Sequence, residues 1–222
     1  MTLSMVTAVI KVTCIGDSIT EGGACVPESY TDLLQDQLGE EYSVLNVGAG
    51  GRTMLKQGLL DGTQPFSYWD TDNWQKALTS DPDIVTIMLG TNDAKYYNWE
   101  GIQQSNGDYY TLDYVDMINE LRAVVKPTTK FFIMVPPPVF EPYPFDMNGT
   151  VINSIFPSLI PKIASALNHQ RGNKNDNRIN IIDLHTPLSG SDLTCDRCHP
   201  THEANVIIAE TMAAAITQAT KV

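Results

Sequence analysis

Short, uninterrupted apolar segments recur along the chain and alternate with longer segments of helical character. An unbroken apolar run of this length is typical of a parallel strand that is buried on both faces. The predicted strands are Val9–Ile15, Tyr42–Val47, Ile84–Met88, Phe131–Val135 and Ile179–Asp183. The predicted helices are Tyr30–Leu38, Asn73–Thr79, Thr111–Val125, Ile152–Asn168 and His202–Thr220. This alternation predicts an α/β fold in which helices cover both faces of a five-stranded parallel sheet.

The composition is that of one globular domain. The 222 residues, of which 42% are hydrophobic, suit a single α/β domain spanning residues 1–222, and the sequence shows no internal repeat or linker. No apolar run reaches the roughly 18–20 residues that cross a bilayer. The net charge of −12 argues against nucleic acid or an anionic membrane as a partner. The sequence does not indicate an oligomeric state.

The N-terminal segment does not have the pattern of a secretory leader. Residues Met1–Ile10 form too short a segment and carry too little charge for one. We therefore expect either a cytoplasmic protein or an exported one whose leader has been removed.

Polar or turn-forming segments follow four of the five predicted strands. Open α/β sheets bind their ligands at the carboxyl ends of the strands, so these segments should share one edge of the molecule. They are Gly16-Asp17-Ser18, Gly48-Ala49-Gly50-Gly51, Gly90-Thr91-Asn92-Asp93 and Pro136-Pro137-Pro138. We expect the functional site at this edge.

Ser18 is the candidate nucleophile. It follows a buried strand on a turn before a helix, where a hydroxyl can point into a cleft. The alternative is that Asp17 and Ser18 only stabilise the turn. The segment is not Gly-x-Ser-x-Gly, because Thr20 occupies the position of the second glycine, and this disfavours the nucleophile elbow of α/β-hydrolases.

Asp196 and His199 are the candidate partners of this serine. Their spacing of three residues places two side chains on the same face of one helical turn. The carboxylate can then fix the imidazole tautomer and leave the other ring nitrogen for Ser18. The alternative is an ordinary helix start before Glu203.

The same segment carries a competing signal. Cys195-Asp196-Arg197-Cys198-His199 has the C-x-x-C-H pattern of c-type haem attachment, which would require export and would remove His199 as a base. A Cys195–Cys198 disulfide beside the catalytic pair would make the activity sensitive to reductant. A zinc pair at these cysteines lacks evident further ligands.

Four blocks together resemble those of the SGNH, or GDSL-type, hydrolase superfamily. They occur in the order of that family and span nearly the whole chain. They are Gly16-Asp17-Ser18, Asn46-Val47-Gly48-Ala49-Gly50-Gly51, Gly90-Thr91-Asn92-Asp93 and Asp196-Arg197-Cys198-His199-Pro200. The resemblance implies a three-layer α/β/α sandwich of flavodoxin-like topology and a hydrolase that needs no metal or organic cofactor.

The resemblance also implies a role for each site residue. Ser18 would be the nucleophile and His199 the base, oriented by Asp196. The oxyanion hole would consist of the backbone N–H groups of Ser18 and Gly51 and the side-chain amide of Asn92. Donors fixed in place before the reaction are what a tetrahedral oxyanion requires.

Two positions depart from the usual pattern of this family. The second block usually reads Ser-Gly, whereas this chain has Gly50-Gly51, and the spacing to Asn46 and Thr53 favours Gly51 as the donor. Thr201 and Asn205 stand where Asn and Gly are common.

A narrower resemblance points to a carbohydrate-acetylesterase branch whose members are described as sialate O-acetylesterase-like. It is carried by residues 88–95, Asn98-Trp99, residues 135–140 and residues 183–188. This branch removes acetyl groups from O-acetylated sugars.

Two groups of side chains are candidates for substrate contact. Aromatic residues follow the Asn92 block, and Trp99 among them is the candidate for stacking on a sugar; the alternative is that they pack against the body of the protein. Arg52, Lys56 and Lys95 would favour a sugar that carries a carboxylate, unless they pair with Asp17 or Asp93.

The sequence therefore predicts a serine esterase that acts on short-chain esters, with acetylated carbohydrates as the expected substrates. Within enzymes, the alternatives are a lysophospholipase, a thioesterase or a general acyl ester hydrolase. From another class, a non-catalytic sugar-binding module would have no use for a general base.

Overall fold

In the computed structural model, which describes residues 8–102, 107–169 and 178–221, five parallel strands form the central sheet. They are β1 (Ile10–Gly16), β2 (Tyr42–Gly48), β3 (Ile84–Met88), β4 (Lys130–Val135) and β5 (Ile179–Asp183). Their order is β2-β1-β3-β4-β5, the flavodoxin-like order. The predicted sheet is confirmed, and no predicted strand end is displaced by more than one residue.

Seven α-helices surround the sheet in the described ranges. They are α1 (Ser18–Glu21), α2 (Tyr30–Leu38), α3 (Asp72–Thr79), α4 (Tyr96–Trp99), α5 (Asp108–Val124), α6 (Phe156–His169) and α7 (His202–Thr220). Helices α1 and α4 were not predicted, because single-turn helices are too short to show a hydrophobic period. A π-helical turn, Val151–Ile155, precedes α6, since Pro157 lacks the N–H that would close an α-helical turn on Asn153.

The core has two layers, one on each face of the sheet. In β4, Phe132 and Met134 pack with buried residues of α2 and α7, whereas Phe131 and Ile133 pack with those of α3, α5 and α6. Successive side chains of a strand point to opposite faces, so a strand covered on both faces must be apolar throughout. This is the physical origin of the continuous apolar runs.

Residues 1–7, which make up most of the segment assessed as a leader, lie outside the described residues. Within the described ranges, no helix combines the length and apolar character that crossing a membrane requires.

Candidate active site

Ser18 lies at the first position of α1, directly after the turn that follows β1. Asp17 caps this helix, and its Oδ1 accepts a hydrogen bond from the N–H of Ile19 at 3.0 Å. A Cβ at Gly16 would lie 1.9 Å from Oγ1 of Thr20, so only glycine fits there. The turn thus holds a half-buried Ser18 at the carboxyl edge of the sheet.

The structure brings Ser18, His199 and Asp196 into one line of hydrogen bonds. Ser18 Oγ lies 2.9 Å from Nε2 of His199, and Nδ1 of His199 lies 2.6 Å from Oδ2 of Asp196. With the Nδ1 proton donated to the carboxylate, Nε2 is free to accept the hydroxyl proton of Ser18. This is the arrangement that nucleophilic catalysis by serine requires.

The pair Asp196 and His199 lies in a tight loop rather than on the helical turn that the spacing suggested. The loop is closed by a bridge between Thr194 and Pro200, and Arg197 within it has a left-handed backbone with φ of 73°. Oδ1 of Asp196 accepts hydrogen bonds from the backbone N–H of Cys198 at 3.1 Å and of His199 at 2.7 Å. The loop backbone, not a helix, therefore fixes the two side chains.

Asp196 is held in its charged form. Partial burial opposes ionisation, but hydrogen bonds from the backbone and imidazole of His199 outweigh it and lower the pKa of the carboxyl group. A carboxylate at this position stabilises the imidazolium that forms when the histidine takes a proton.

The loops after β2 and β3 carry the candidate oxyanion donors. A Cβ at Gly50 would lie 3.8 Å from the Cβ of Ser18, so the β2 loop passes beside the nucleophile. Gly51 follows with a φ of 74°, a conformation that favours glycine. Asn92 is buried and donates one Nδ2 hydrogen to the carbonyl oxygen of Arg52 at 3.2 Å. Its second amide hydrogen has no partner in the described residues and stays available for a ligand.

A model of the GDSL-like lipase/acylhydrolase family matches residues 14–207. The chain belongs to this family. It is 33% identical, over 93% of its length, to an acetylxylan esterase of Xylanibacter ruminicola. The match covers 43% of that protein, so the chain spans less than half the length of this relative.

Solved structures of esterases share the fold of this chain. Axe2, an acetylxylan esterase from Geobacillus stearothermophilus, matches 96% of the chain and 96% of its own, with a TM-score of 0.64 and 20% identity. Est24, a carbohydrate acetylesterase from Sinorhizobium meliloti, matches 94% of the chain and 99% of its own, with a TM-score of 0.61 and 19% identity. The predicted SGNH resemblance is confirmed.

Asp93 connects the two loops that carry the candidate oxyanion donors. Its carboxylate oxygens accept the backbone N–H of Met54 at 2.9 Å and of Leu55 at 2.7 Å. Burial raises the pKa of Asp93 to about 7. The sequence suggested Asp93 only as a partner for a cation, although its place in the Gly-Thr-Asn-Asp block was a usable signal. Asp93 thus ties the loop that carries Gly51 to the loop that carries Asn92.

Trp99 is a core residue, and its predicted stacking on a sugar is wrong. The side chain is only 7% exposed, and its ring centroid lies 5.4 Å from that of Phe156 and 6.0 Å from that of Tyr110. The alternative, that this aromatic cluster packs against the body of the protein, describes its buried members. Tyr96 and Tyr109 remain about half exposed.

The three basic candidates have different surroundings. Nζ of Lys56 lies 2.7 Å from a carboxylate oxygen of Asp116 and is therefore already paired. Lys95 is half-buried just before α4; burial raises the pKa of Asp17 to about 6, and the Lys95 charge is one of the smaller opposing effects. Arg52 lines a surface groove, and its guanidinium stacks on the ring of Phe66.

The cysteine expected to pair with Cys198 is instead joined to a distant one. Cys195 forms a disulfide with Cys25, and Cys198 is buried and free. Cys195, the first cysteine of the haem-attachment pattern, is therefore not a free thiol. His199, the histidine of that pattern, contacts Ser18. In the described residues, one group of three side chains has its ligand atoms close enough to hold a metal ion: Cys25, Cys195 and Asp196. Its two sulfurs, however, are bonded to each other.

The disulfide should contribute strongly to stability, because it joins segments 170 residues apart and adjoins Asp196. Replacing both Cys25 and Cys195 with alanine should lower the free energy of unfolding by about 2–5 kcal/mol. Urea denaturation monitored by circular dichroism measures this loss. Reductant should lower the wild-type midpoint and leave that of the double variant unchanged; a wild type indifferent to reductant would contradict the bridge.

The Asn92→Ala variant tests whether Asn92 is an oxyanion donor. Loss of a preorganised donor should reduce kcat about 100- to 1000-fold. Steady-state hydrolysis of p-nitrophenyl acetate, with thermal unfolding as a check on the fold, measures the effect. A reduction of less than about threefold would show that Asn92 is not part of the oxyanion hole.

Proposed function

We propose that this esterase removes O-acetyl groups from carbohydrates by an acyl-enzyme mechanism on Ser18. The observation that carries the proposal is the unbroken line of hydrogen bonds from Ser18 through His199 to the ionised Asp196.

Acylation begins when Ser18 Oγ attacks the ester carbonyl and its proton passes to Nε2 of His199. Asp196 stabilises the resulting imidazolium. The negative oxygen of the tetrahedral intermediate accepts hydrogen bonds from the N–H of Ser18, the N–H of Gly51 and the amide of Asn92. The imidazolium then protonates the sugar oxygen, and the sugar leaves as an alcohol.

Deacylation repeats these steps with water as the nucleophile. His199 takes a proton from water, the hydroxide attacks the acetyl carbonyl on Ser18, and the Ser18 oxygen recovers its proton from the imidazolium. Acetate is released and the free enzyme is restored.

The space beside the nucleophile supports a small acyl group. A cavity lined by Ser18, His199, Val26 and Pro200 has a volume of about 10 Å³, which is room for about one water molecule. A methyl group is of similar size, so this cavity suits an acetyl group and not a long acyl chain.

The similar proteins support a carbohydrate as the alcohol portion. The curated relative is described as an acetylxylan esterase, and one structural neighbour as a carbohydrate acetylesterase. Xylan acetyl esters are therefore the first substrates to test.

The decisive experiment measures acetate release from acetylated xylo-oligosaccharides, together with hydrolysis of p-nitrophenyl acetate and p-nitrophenyl octanoate. We expect turnover of both acetyl esters and a steep loss with octanoate. Preference for octanoate would indicate a lipid or long-chain acyl ester hydrolase. A folded protein that turns over none of the three would indicate a sugar-binding module.

A further inference from the structure

A second, larger depression adjoins the candidate active site on the side of the β2 loop. It is a groove of about 470 Å³, within the size range of small-molecule sites. Residues from the end of α1, the β2 loop, the segment before α3 and α3 itself line it, among them Glu21, Arg52, Phe66, Asp70, Asp72 and Lys76.

Gly50, which lines the groove, also lies beside the nucleophile. A Cβ built on Gly50 would lie 2.6 Å from Oε2 of Glu21 and 3.8 Å from the Cβ of Ser18. Gly50 is thus the floor between the reacting serine and the Glu21 carboxylate. Since Gly50 has no side chain, the alcohol portion of an ester attacked by Ser18 can extend past this residue toward the groove.

An aromatic ring and a cation form one wall. The guanidinium carbon of Arg52 lies 3.7 Å from the centroid of the Phe66 ring, and Nη1 donates to the carbonyl oxygen of Ser67 at 3.4 Å. Phe66 in turn lies against Gly51, where a Cβ would be 2.9 Å from the ring. Stacking holds the guanidinium in place and leaves its other N–H groups for a ligand.

The charges of the groove nearly cancel. Glu21, Asp70 and Asp72 supply acceptors, and Arg52 and Lys76 supply donors. Lys76 donates to the side chain of Asn73 at 3.1 Å. In the part of the chain that the structure describes, no salt bridge to Arg52 or Lys76 occurs, so these groups are open to a bound molecule.

This mixture of groups discriminates among the alcohol portions of an ester. An acidic sugar would meet three carboxylates as well as two cations, so the groove offers its negative charge no net attraction, and an acyl or alkyl chain would desolvate charged groups without pairing them. Uncharged sugar hydroxyls both donate and accept, so they satisfy carboxylates and cations together.

We propose that this groove is the glycan subsite and that it takes an uncharged oligosaccharide, with Glu21 and Arg52 bonded to the sugar that carries the acetyl group. This rests on the proposed function. It replaces the expectation, based on Arg52, Lys56 and Lys95, of a sugar that bears a carboxylate.

The test compares kcat/KM on acetylated xylotriose with kcat/KM on p-nitrophenyl acetate, which has no glycan to place in the groove. Glu21→Gln and Arg52→Gln should each lower the ratio of the two values about 10- to 100-fold, the effect of losing a charge-assisted hydrogen bond. Lys56→Gln is the matched control, since Lys56 also lies over an aromatic ring, Trp69, but outside the groove.

The proposal is overturned if the ratio in both groove variants equals that in wild type and in Lys56→Gln. It is also overturned if wild type prefers an acetylated oligosaccharide containing uronic acid over one without, or hydrolyses p-nitrophenyl acetate but no acetylated xylotriose. A wild type inactive on p-nitrophenyl acetate as well would instead refute the proposed esterase function.

Discussion

Replacing Ser18 with alanine should reduce ester hydrolysis on the order of a million-fold, to the level that binding and the oxyanion donors alone provide. The reason is that no other hydroxyl is hydrogen-bonded to His199 in the described residues. The fold should survive, because Asp17 rather than Ser18 caps α1. Hydrolysis of p-nitrophenyl acetate measures the loss, and circular dichroism monitors the fold.

Ser191→Ala provides the matched control for this variant, since Ser191 is an exposed serine in a turn preceding the Asp196 loop. It should retain wild-type turnover. If Ser18→Ala were folded and retained comparable turnover, a different nucleophile would have to be sought.

Replacing Asp196 with asparagine should lower kcat about ten-thousand-fold. The asparagine oxygen can keep the backbone hydrogen bonds of Oδ1, but its NH₂ group would then face Nδ1 of His199. The imidazole would adopt the other tautomer, with the proton on Nε2, and could no longer accept the Ser18 proton. Steady-state kinetics on p-nitrophenyl acetate measure the effect.

Asp192→Asn controls for the change in charge, since Asp192 is an exposed carboxylate in the preceding 3₁₀ turn. It should leave kcat near the wild-type value. Equal losses in the two variants would show that Asp196 acts through general electrostatics and not through the imidazole.

The sheet was predictable because its strands are buried on both faces. Each strand is therefore a continuous apolar run, and the residues that end it, such as Gly16 and Gly48, mark the edge where ligands bind. The structure also brings together Ser18, Asp196 and His199, which local sequence patterns had singled out.

Long-range packing was not predictable from one sequence. Cys195 could have paired with Cys198 nearby, and nothing in the spacing indicates Cys25, which is 170 residues away. A tryptophan close to a catalytic loop is a reasonable candidate for stacking on a sugar, but the rings of Phe156 and Tyr110, from distant segments, cover Trp99. The spacing of Asp196 and His199 suggested a helix, whereas a left-handed Arg197 allows a tighter loop.

The groove was not predictable either, because it is also formed by long-range packing. Glu21, Arg52, Phe66 and Lys76 come from four separate segments, and their proximity arises only when α1 and α3 pack beside the β2 loop. A sequence pattern identifies residues that share a turn or a strand end, but it does not identify residues from distant segments that line the same groove.

Reaction with a fluorophosphonate tests the central claim most directly, because phosphorus forms a stable bond to an activated serine oxygen as fluoride leaves. Peptide mass spectrometry of the treated protein should locate the adduct on Ser18 in wild type and show little adduct in His199→Ala. An adduct on another residue, or an esterase that hydrolyses p-nitrophenyl acetate without labelling Ser18, would contradict the proposed mechanism.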